Sequence, residues 1–421
     1  MAVVSATEQI SYTDLYARWE RGNWRATEID FSADREQWQE RFDPFERRAA
    51  LWNYSLFFHG EDAVADNLSP YIDAAPLEEQ KYFLATQQVD EARHAVFFKR
   101  FMHEVADVGD GTMAGGLAAI APQLTWGFRK VFDRLDTMAD ELRHDRSKPK
   151  LAAAVALYHL IVEATLAQSG QHFITGYLER RDTLPGFYGG MRNVEFDEQR
   201  HIGFGVKLLY DLQREDPECR EAVAELLREV LPWALAVFVP PGWDERYATA
   251  FGFELLDIYE LGIASLDSKL RAAGMPMDEM RLPLPRGQSP RERAEYGVAL
   301  LRAGYLGEKN GPPARDRETL RLLFDGVEGL VDHRHAPRRP VTLAWEFTDA
   351  EPWHLRIDDG HTRAMPGAVA GGADLTFRCS VEDWVDVTAG RIDPRMAMVR
   401  RRLRPSGSLR LLARMPRLLG P

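Results

Sequence analysis

The segment Asp90-Glu91-Ala92-Arg93-His94 returns later in the chain as Asp197-Glu198-Gln199-Arg200-His201. An α-helix turns ~100° per residue and rises ~1.5 Å, so a Glu and a His three positions apart project from neighbouring points of one face and can hold one metal ion. Each copy sits in a long stretch of helical apolar periodicity. Each is also preceded by another such stretch with a Glu of its own, Glu61 and Glu163. Two Glu-x-x-His helices and two single-Glu helices are the ligand arrangement of a four-helix bundle around a carboxylate-bridged pair of metals. A lone Glu-x-x-His is more often a solvated pair; its repetition, with the flanking Asp and Arg, is what points to a metal site.

An ionised Glu inside a helical core is costly unless it is paired, hydrogen-bonded or bound to metal, and here several point into one bundle. Four carboxylates and two imidazoles form a hard-to-borderline ligand set that suits Fe or Mn rather than Cu(I) or a thiolate-type zinc site. Asp90 and Asp197 can accept the distal N–H of an imidazole, with Arg93 and Arg200 paired to those acids. Asp62 and Asp66 are alternatives to Glu61, whereas Glu163 is favoured by its apolar surroundings. His59, His103, His159 and His172 read as outer, structural or exposed histidines rather than ligands.

At 421 residues the chain is too long for one ordinary core, so two or three domains are expected. Its formal charge of −12, from 53 basic and 65 acidic residues, argues against a general nucleic-acid binder. The acidity is uneven, because nine arginines face a single acid, Asp393, between residues 391 and 421. Cys219 and Cys379 are too few for a disulfide framework and lack zinc-type spacing, so a reducing, cytoplasmic setting is expected. Met1–Glu8 lacks the basic start and apolar run of a signal peptide. No stretch approaches ~18 uninterrupted apolar residues, so no membrane span is expected.

Residues 1–44 are polar and aromatic-rich (Trp19, Trp24, Trp38), suited to an arm or short helices lying over the main body. An all-α domain is expected over 45–275. Its helices run from Pro44 to about Leu68, and from Pro76 past His94 to about Val108, where Gly109-Asp110-Gly111 stops the second. A connector, helical in its second half, spans 112–147. The third helix follows Pro149, with Leu151, Val155, Tyr158, Ile161 and Leu166 at helical spacing around Glu163. The fourth follows Pro185-Gly186 and carries Glu198 and His201, and further helices fit 217–238 and 245–273. Residues 276–314 read as a linker with a short helix at 290–307, marked by clustered Pro and Gly. Residues 315–421 read as a small α+β domain, with a helix from Arg315 to His333 and period-two runs at 341–347, 353–357 and 374–379.

Gly60-Glu61-Asp62-Ala63-Val64, the Glu91–His94 segment, Tyr158-His159-Leu160-Ile161-Val162-Glu163 and the Glu198–His201 segment together resemble the ligand-binding oxidases related to the ribonucleotide reductase small subunit. The resemblance covers about residues 45–260 and extends to Ala164-Thr165-Leu166-Ala167-Gln168. It implies a ferritin-like bundle, a homodimer, a cofactor of Fe and Mn or of two Fe, and a long-chain fatty acid whose carboxylate reaches the metals. By motif it also implies that Glu61, Glu91 and His94 hold one metal and Glu163, Glu198 and His201 the other, with Glu91 and Glu198 bridging. The family joins a Val three residues after its first Glu to a Tyr five residues before its third by an ether bond; here those positions hold Val64 and Tyr158. Their plainer roles are a core valine and a buried, hydrogen-bonded tyrosine. Asp62 stands where the family frequently has another Glu, a small departure.

Ala373-Asp374-Leu375-Thr376-Phe377, Val381-Glu382-Asp383-Trp384, Ala389-Gly390-Arg391-Ile392-Asp393-Pro394 and Leu403-Arg404-Pro405-Ser406-Gly407-Ser408 resemble the sterol carrier protein type-2 fold. That resemblance implies a lipid-binding tunnel closed by an amphipathic last helix. Leu409, Leu411, Leu412, Met415, Leu418 and Leu419 alternate with Arg410, Arg414 and Arg417, and on one helix this sets an apolar face beside a basic one. Such a helix suits closing a tunnel or resting on an anionic lipid surface; its plainer role is packing on its own sheet.

The expected function is therefore an O2-activating oxidase or oxygenase of a hydrophobic, fatty-acid-like or lipid substrate. It would be served by an external electron donor and have no nucleic-acid partner. Two other readings stay open: an N-oxygenase of an amine, needing an extra ligand that His172 could offer, and a non-catalytic lipid-binding protein with a structural metal site. Long apolar helices fit iron storage poorly, and Val64 with Tyr158 argues against a reductase subunit.

Overall fold

The structure, a computed structural model, describes residue 7 and residues 10–358 and 360–419. Met1–Glu8, read above for a signal sequence, lies outside these apart from Thr7. The chain divides into two compact units, residues 1–226 with 237–276 and residues 227–236 with 277–421.

Among the described residues the first unit has helices and no strand. Two arm helices, α1 (Tyr12–Arg21) and α2 (Ser32–Glu40), precede α3 (Pro44–Asn67). The start of α3 is written in the sequence: Asp43 accepts from the backbone N–H groups of Phe45 and Glu46, Glu46 accepts from that of Asp43, and Pro44 fills the first turn. Ser69-Pro70 does more than disturb this helix. It opens a short α4 (Ser69–Ala74), with the proline in the first turn, where its missing N–H costs nothing. α5 (Glu78–Glu104) carries the first Glu-x-x-His, and α6 (Met113–Ile120) and α7 (Trp126–His144) fill the connector. α8 (Lys148–Arg181), α9 (Pro185–Glu215), the first part of α10 (Glu218–Ala234) and α11 (Leu255–Ala272) complete the unit. The expected helix 245–273 begins late, because Gly252 adopts φ +75° and Glu254 caps a fresh start at Leu255.

α8 is long and apolar enough to cross a membrane by composition, yet 83% of its most apolar window is buried in the protein, as for the central helix of a bundle. It is also not the regular helix expected. From Ala156 to Ala167 it is a π-helix, so that the N–H of Gln168 bonds the carbonyl of Glu163, and the Thr165 hydroxyl donates to the carbonyl of Leu160 at 2.6 Å. In an α-helix Tyr158 and Glu163 would point ~140° apart. Hydrogen bonding to i+5 widens the turn and brings the fifth residue back over the first, so both side chains face α5.

The second unit has α12 (Pro290–Arg302) and α13 (Arg317–Leu330) before a five-stranded sheet of β1 (Val341–Phe347), β2 (Trp353–Asp358), β3 (His361–Pro366), β4 (Leu375–Cys379) and β5 (Arg404–Gly407). The order is β3-β2-β1-β4-β5, with β1 and β4 parallel and the other pairs antiparallel. Alternate residues Leu343, Trp345, Leu355, Leu375 and Phe377 share a core with Phe324 of α13. α14 (Val381–Thr388) and α15 (Pro394–Val399) connect β4 to β5. The single closing helix expected from the leucine pattern is instead two short ones, α16 (Leu409–Leu412) and α17 (Met415–Leu419). Pro416 has no N–H to give the carbonyl of Leu412, which is where α16 ends. Leu411 and Leu418 are buried in the unit's own core, and Leu412, Met415 and Leu419 pack against it, so most of the expected lipid-facing stripe covers the sheet.

Candidate metal centre

α3, α5, α8 and α9 bring six side chains of the predicted kinds together. Glu61, Glu91, His94 and Glu198 form one group and Glu91, Glu163, Glu198 and His201 a second; within each, one ligand atom per residue lies within 4.8 Å of the others, and all are buried. Glu91 and Glu198 belong to both groups. His94 Nδ1 lies 3.2 Å from Glu61 Oε2, 3.2 Å from Glu91 Oε2 and 3.7 Å from Glu198 Oε1. His201 Nδ1 lies 3.2 Å from Glu91 Oε1, 3.5 Å from Glu163 Oε1 and 3.9 Å from Glu198 Oε1. Asp62 is half-buried and Asp66 exposed, and neither joins a group.

Behind the imidazoles the two motifs are exchanged. His94 Nε2 faces Asp197 Oδ2 at 3.2 Å, and His201 Nε2 faces Asp90 Oδ2 at 3.1 Å. Arg93 and Arg200 each bridge both aspartates; the contacts of Arg93 with Asp197 and of Arg200 with Asp197 measure 2.9 and 3.0 Å. The arm adds a donor to each acid, since Trp19 Nε1 donates to Asp90 (2.9 Å) and Trp24 Nε1 to Asp197 (2.8 Å). Nothing in the arm's own sequence announces these two bonds.

Burial raises Glu61 and Glu163 to about 7. Burial and the carboxylates of Glu163 and Glu91 push Glu198 well above the usual range. Burial also acts upward on Glu91, but His201 and His94 outweigh it and hold that group well below. For His94 and His201 burial opposes the charge, and Glu61 beside the first and Glu91 beside the second reverse the balance and raise both. So many carboxylates in one dry site must be neutralised by protons or by cations. The residues fit cations: Glu91 Oε2, Glu163 Oε2, Glu198 Oε2 and His201 Nδ1 are buried without a hydrogen-bond partner among the described residues, which is costly for polar atoms unless a metal takes them up.

Tyr158 is buried among these acids. Its hydroxyl donates to Glu91 Oε1 at 2.6 Å, and burial and Glu91 raise its pKa well above the ordinary phenol value. Gln87, which the sequence reading missed, donates to Tyr158 Oη (3.0 Å) and to Glu163 Oε1 (2.7 Å). It stands four residues before Glu91, on the same helix face, and that spacing was its signal. His159 Nε2 sits 3.2 Å from Gln87 Oε1, with its pKa lowered to about 3 by burial and His201, so it is a neutral structural group. His103 and His172 are exposed and His59 is half-buried, and among the described residues no extra imidazole joins either group.

Val64 and Tyr158 line a cavity beside the cluster, together with Glu61, Glu91, Glu163 and Glu198. Its remaining walls are almost wholly apolar, among them Phe57, Phe128, Phe132 and Phe238. It holds about 520 Å³ of space free of protein atoms, part of it open to solvent.

Three solved structures illustrate the likeness. A variant of R2-like ligand-binding oxidase with an aerobically reconstituted Mn/Fe cofactor is 24% identical, with a TM-score of 0.53, over 64% of this chain and 94% of that one. R2-like ligand-binding oxidase from Sulfolobus acidocaldarius is 24% identical, with a TM-score of 0.53, over 67% of this chain and 93% of that one. Another variant of R2-like ligand-binding oxidase, with an Fe/Fe cofactor, is 23% identical, with a TM-score of 0.56, over 63% of this chain and 93% of that one. The first unit thus has the ferritin-like fold of these oxidases, and its buried cluster is able to hold a dimetal site. Residues 339–420 match the SCP-2 sterol transfer family. Residues 3–233, more than half of the sequence, match the family described as ribonucleotide reductase, small chain, and the chain belongs to that family of dimetal oxidoreductases.

Proposed function

We propose that this protein uses O2 to oxidise a hydrophobic, carboxylate-bearing substrate of fatty-acid type at a pair of Fe and Mn ions or at two Fe ions. The observation that carries the reading is the sharing of Glu91 and Glu198 by two ligand groups whose buried inner atoms lack hydrogen-bond partners. Glu61, Glu91 and His94 would hold one ion and Glu163, Glu198 and His201 the other. Bound there, the metals would supply electrons and open coordination positions for O2.

The chain's own groups do the rest. Asp90 and Asp197 keep the distal imidazole nitrogens occupied, so that Nδ1 of each ring faces the ligand groups. Gln87 fixes Tyr158 and Glu163, and Glu91 accepts the phenol proton of Tyr158. The aromatic walls of the cavity suit an acyl chain, while its carboxylate end suits a substrate acid directed at the ions. Joining the Tyr158 oxygen to a Val64 carbon would remove one hydrogen from each, two electrons and two protons in all, with O2 as oxidant.

In this reading residues 1–44 are an arm, 45–275 the oxidase, 276–314 a linker and 315–421 a domain that holds or delivers lipid; the match to the sterol transfer family supports the last. The resemblance to ligand-binding oxidases supports a homodimer, the two unpaired cysteines Cys219 and Cys379 support a reducing, cytoplasmic setting, and renewal of the reduced metals would call for an external electron donor. The test is anaerobic loading with Fe and Mn, exposure of the reduced protein to O2, and mass spectrometry of extracted ligand. About two ions per chain, O2 uptake and an oxidised acyl product are expected. Negligible metal after loading, or no O2 uptake by loaded protein, would overturn the reading.

A further inference from the structure

One stretch of the second unit carries chemistry that the metal centre does not use. Met396, Val399 and Leu409 are three of the few large apolar side chains exposed among the described residues, with Val399 77% and Leu409 79% exposed. They lie on α15 and α16, close together in sequence on either side of β5. Leu411, two residues from Leu409, is buried in the core, so packing on the sheet accounts for one and not for the other.

The side chains interleaved with these three are cationic. Arg395, Arg400, Arg401, Arg404 and Arg410 are all exposed. In this stretch the carboxylate pairs among the described residues are those of Arg391 with Asp386 and of Arg402 with Asp383 and Asp386, and they leave these five out. Arg404 on β5 also stands directly opposite Arg378 on β4, a like-charge pairing that is unfavourable without an anion. β5 is the last strand of the sheet, so no further strand among the described residues covers it.

Exposed aliphatic residues are ordinary when scattered. Here they alternate in sequence with exposed guanidinium groups that have no carboxylate partner among the described residues, Arg404 donating only to the carbonyl of Arg401 (3.0 Å), in a chain whose net charge is −12. Screening confines electrostatic attraction to about 8 Å, so the local cluster sets the sign that a docking surface meets. A nucleic acid would match the cations but gain nothing from valine, leucine and methionine tips, which offer no stacking platform. An anionic bilayer matches both, because its phosphates and carboxylates take the guanidinium groups while its interfacial region takes the aliphatic tips.

We infer that the α15–β5–α16 edge of the second unit docks on an anionic phospholipid bilayer, with Val399 and Leu409 inserted and the surrounding arginines on the head groups. This deepens the lipid-handling part of the function proposed above and depends on nothing in the metal centre, so either can fail alone.

The experiment is co-sedimentation of the full-length, metal-loaded protein with vesicles of phosphatidylcholine alone or mixed with phosphatidylserine. Binding is expected to the mixed vesicles only, and to be lost at about 0.5 M salt. Val399→Ser combined with Leu409→Ser should weaken binding by about tenfold or more, and Arg400→Glu combined with Arg401→Glu should abolish it. Arg143→Glu, an exposed site on α7, should change nothing. All these positions are exposed, and unchanged circular dichroism would verify folding. Equal binding to both vesicle types, no binding at all, or vesicle binding that survives both double variants would overturn the inference. So would loss of binding to a DNA duplex in the arginine variant while its vesicle binding is kept.

Discussion

His94 turns its outer nitrogen to Asp197, 3.2 Å away, an acid from the other copy of the duplicated motif. His201 does the same with Asp90 at 3.1 Å. Each Glu–His pair is therefore oriented by the helix that carries the other pair, and Arg93 and Arg200 tie both aspartates together. The repeat is not two independent half-sites placed side by side. It is an exchange of supports between α5 and α9, so loosening one helix disturbs the imidazole on the other.

This exchange makes a directional prediction. Asp197→Asn should weaken retention of the ion beside His94, and Asp90→Asn that of the ion beside His201, each by about 10- to 100-fold. Chelator competition followed by site-resolved anomalous scattering would separate the two positions. If each change instead affects the ion beside the histidine of its own motif, the crossed support carries no energetic weight.

Sharing of Glu91 and Glu198 gives a second expectation. Glu91→Ala or Glu198→Ala should cost both ions, whereas Glu61→Ala or Glu163→Ala should cost mainly one. Metal content by mass spectrometry, after identical loading, reads this out directly. Equal single-ion losses for all four variants would remove the bridging role.

The clustering of these Glu and His residues was legible because three-residue spacing on a helix is a local property, and because the pattern occurs twice. The start of α3 at Pro44 was legible for the same reason. What escaped depends on partners distant in sequence. Trp19 and Trp24 reach Asp90 and Asp197 across a fold that no window of the arm reveals. Asp34 of α2 caps α9 by accepting from the backbone of Gly186 (2.9 Å) and Phe187 (2.7 Å). The π-helical turn was hidden because an apolar run around Glu163 suits either register. β3 and β5 were missed because His361–Pro366 and Arg404–Gly407 lack clear alternation, and each gains its place by pairing with a stronger strand.

Tyr158 and Val64 give a third expectation, argued from their shared cavity wall. After the reduced, metal-loaded protein meets O2, the peptides containing them should appear as one species lighter by the mass of two hydrogens. Tyr158→Phe should abolish that species while metal content stays near the wild-type level. Fully loaded, oxygen-treated protein that yields only separate peptides would rule the bond out.

The last expectation concerns the spacing of α8 and α9. Gly205 on α9 lies against the π-helical turn so closely that an added Cβ would stand 2.3 Å from the Cβ of His159. That atom is fixed to the backbone, so no rotamer change relieves the clash and the helices must separate. Overpacking of a core commonly costs ~1–3 kcal/mol. His159 would also be drawn from Gln87 (3.2 Å), the residue that holds Tyr158 and Glu163. Gly205→Ala should therefore lower thermal stability and loosen the ion on the Glu163 side. Gly189→Ala on the same helix is the control, because nothing lies within 4 Å of its Cβ position and alanine is favoured over glycine in a helix by ~1 kcal/mol. Opposite shifts in urea midpoint are expected for the two variants. A Gly205→Ala protein as stable and as metal-replete as the wild type would show that α8 and α9 can move apart freely, and that this close approach does not set the geometry of the cluster.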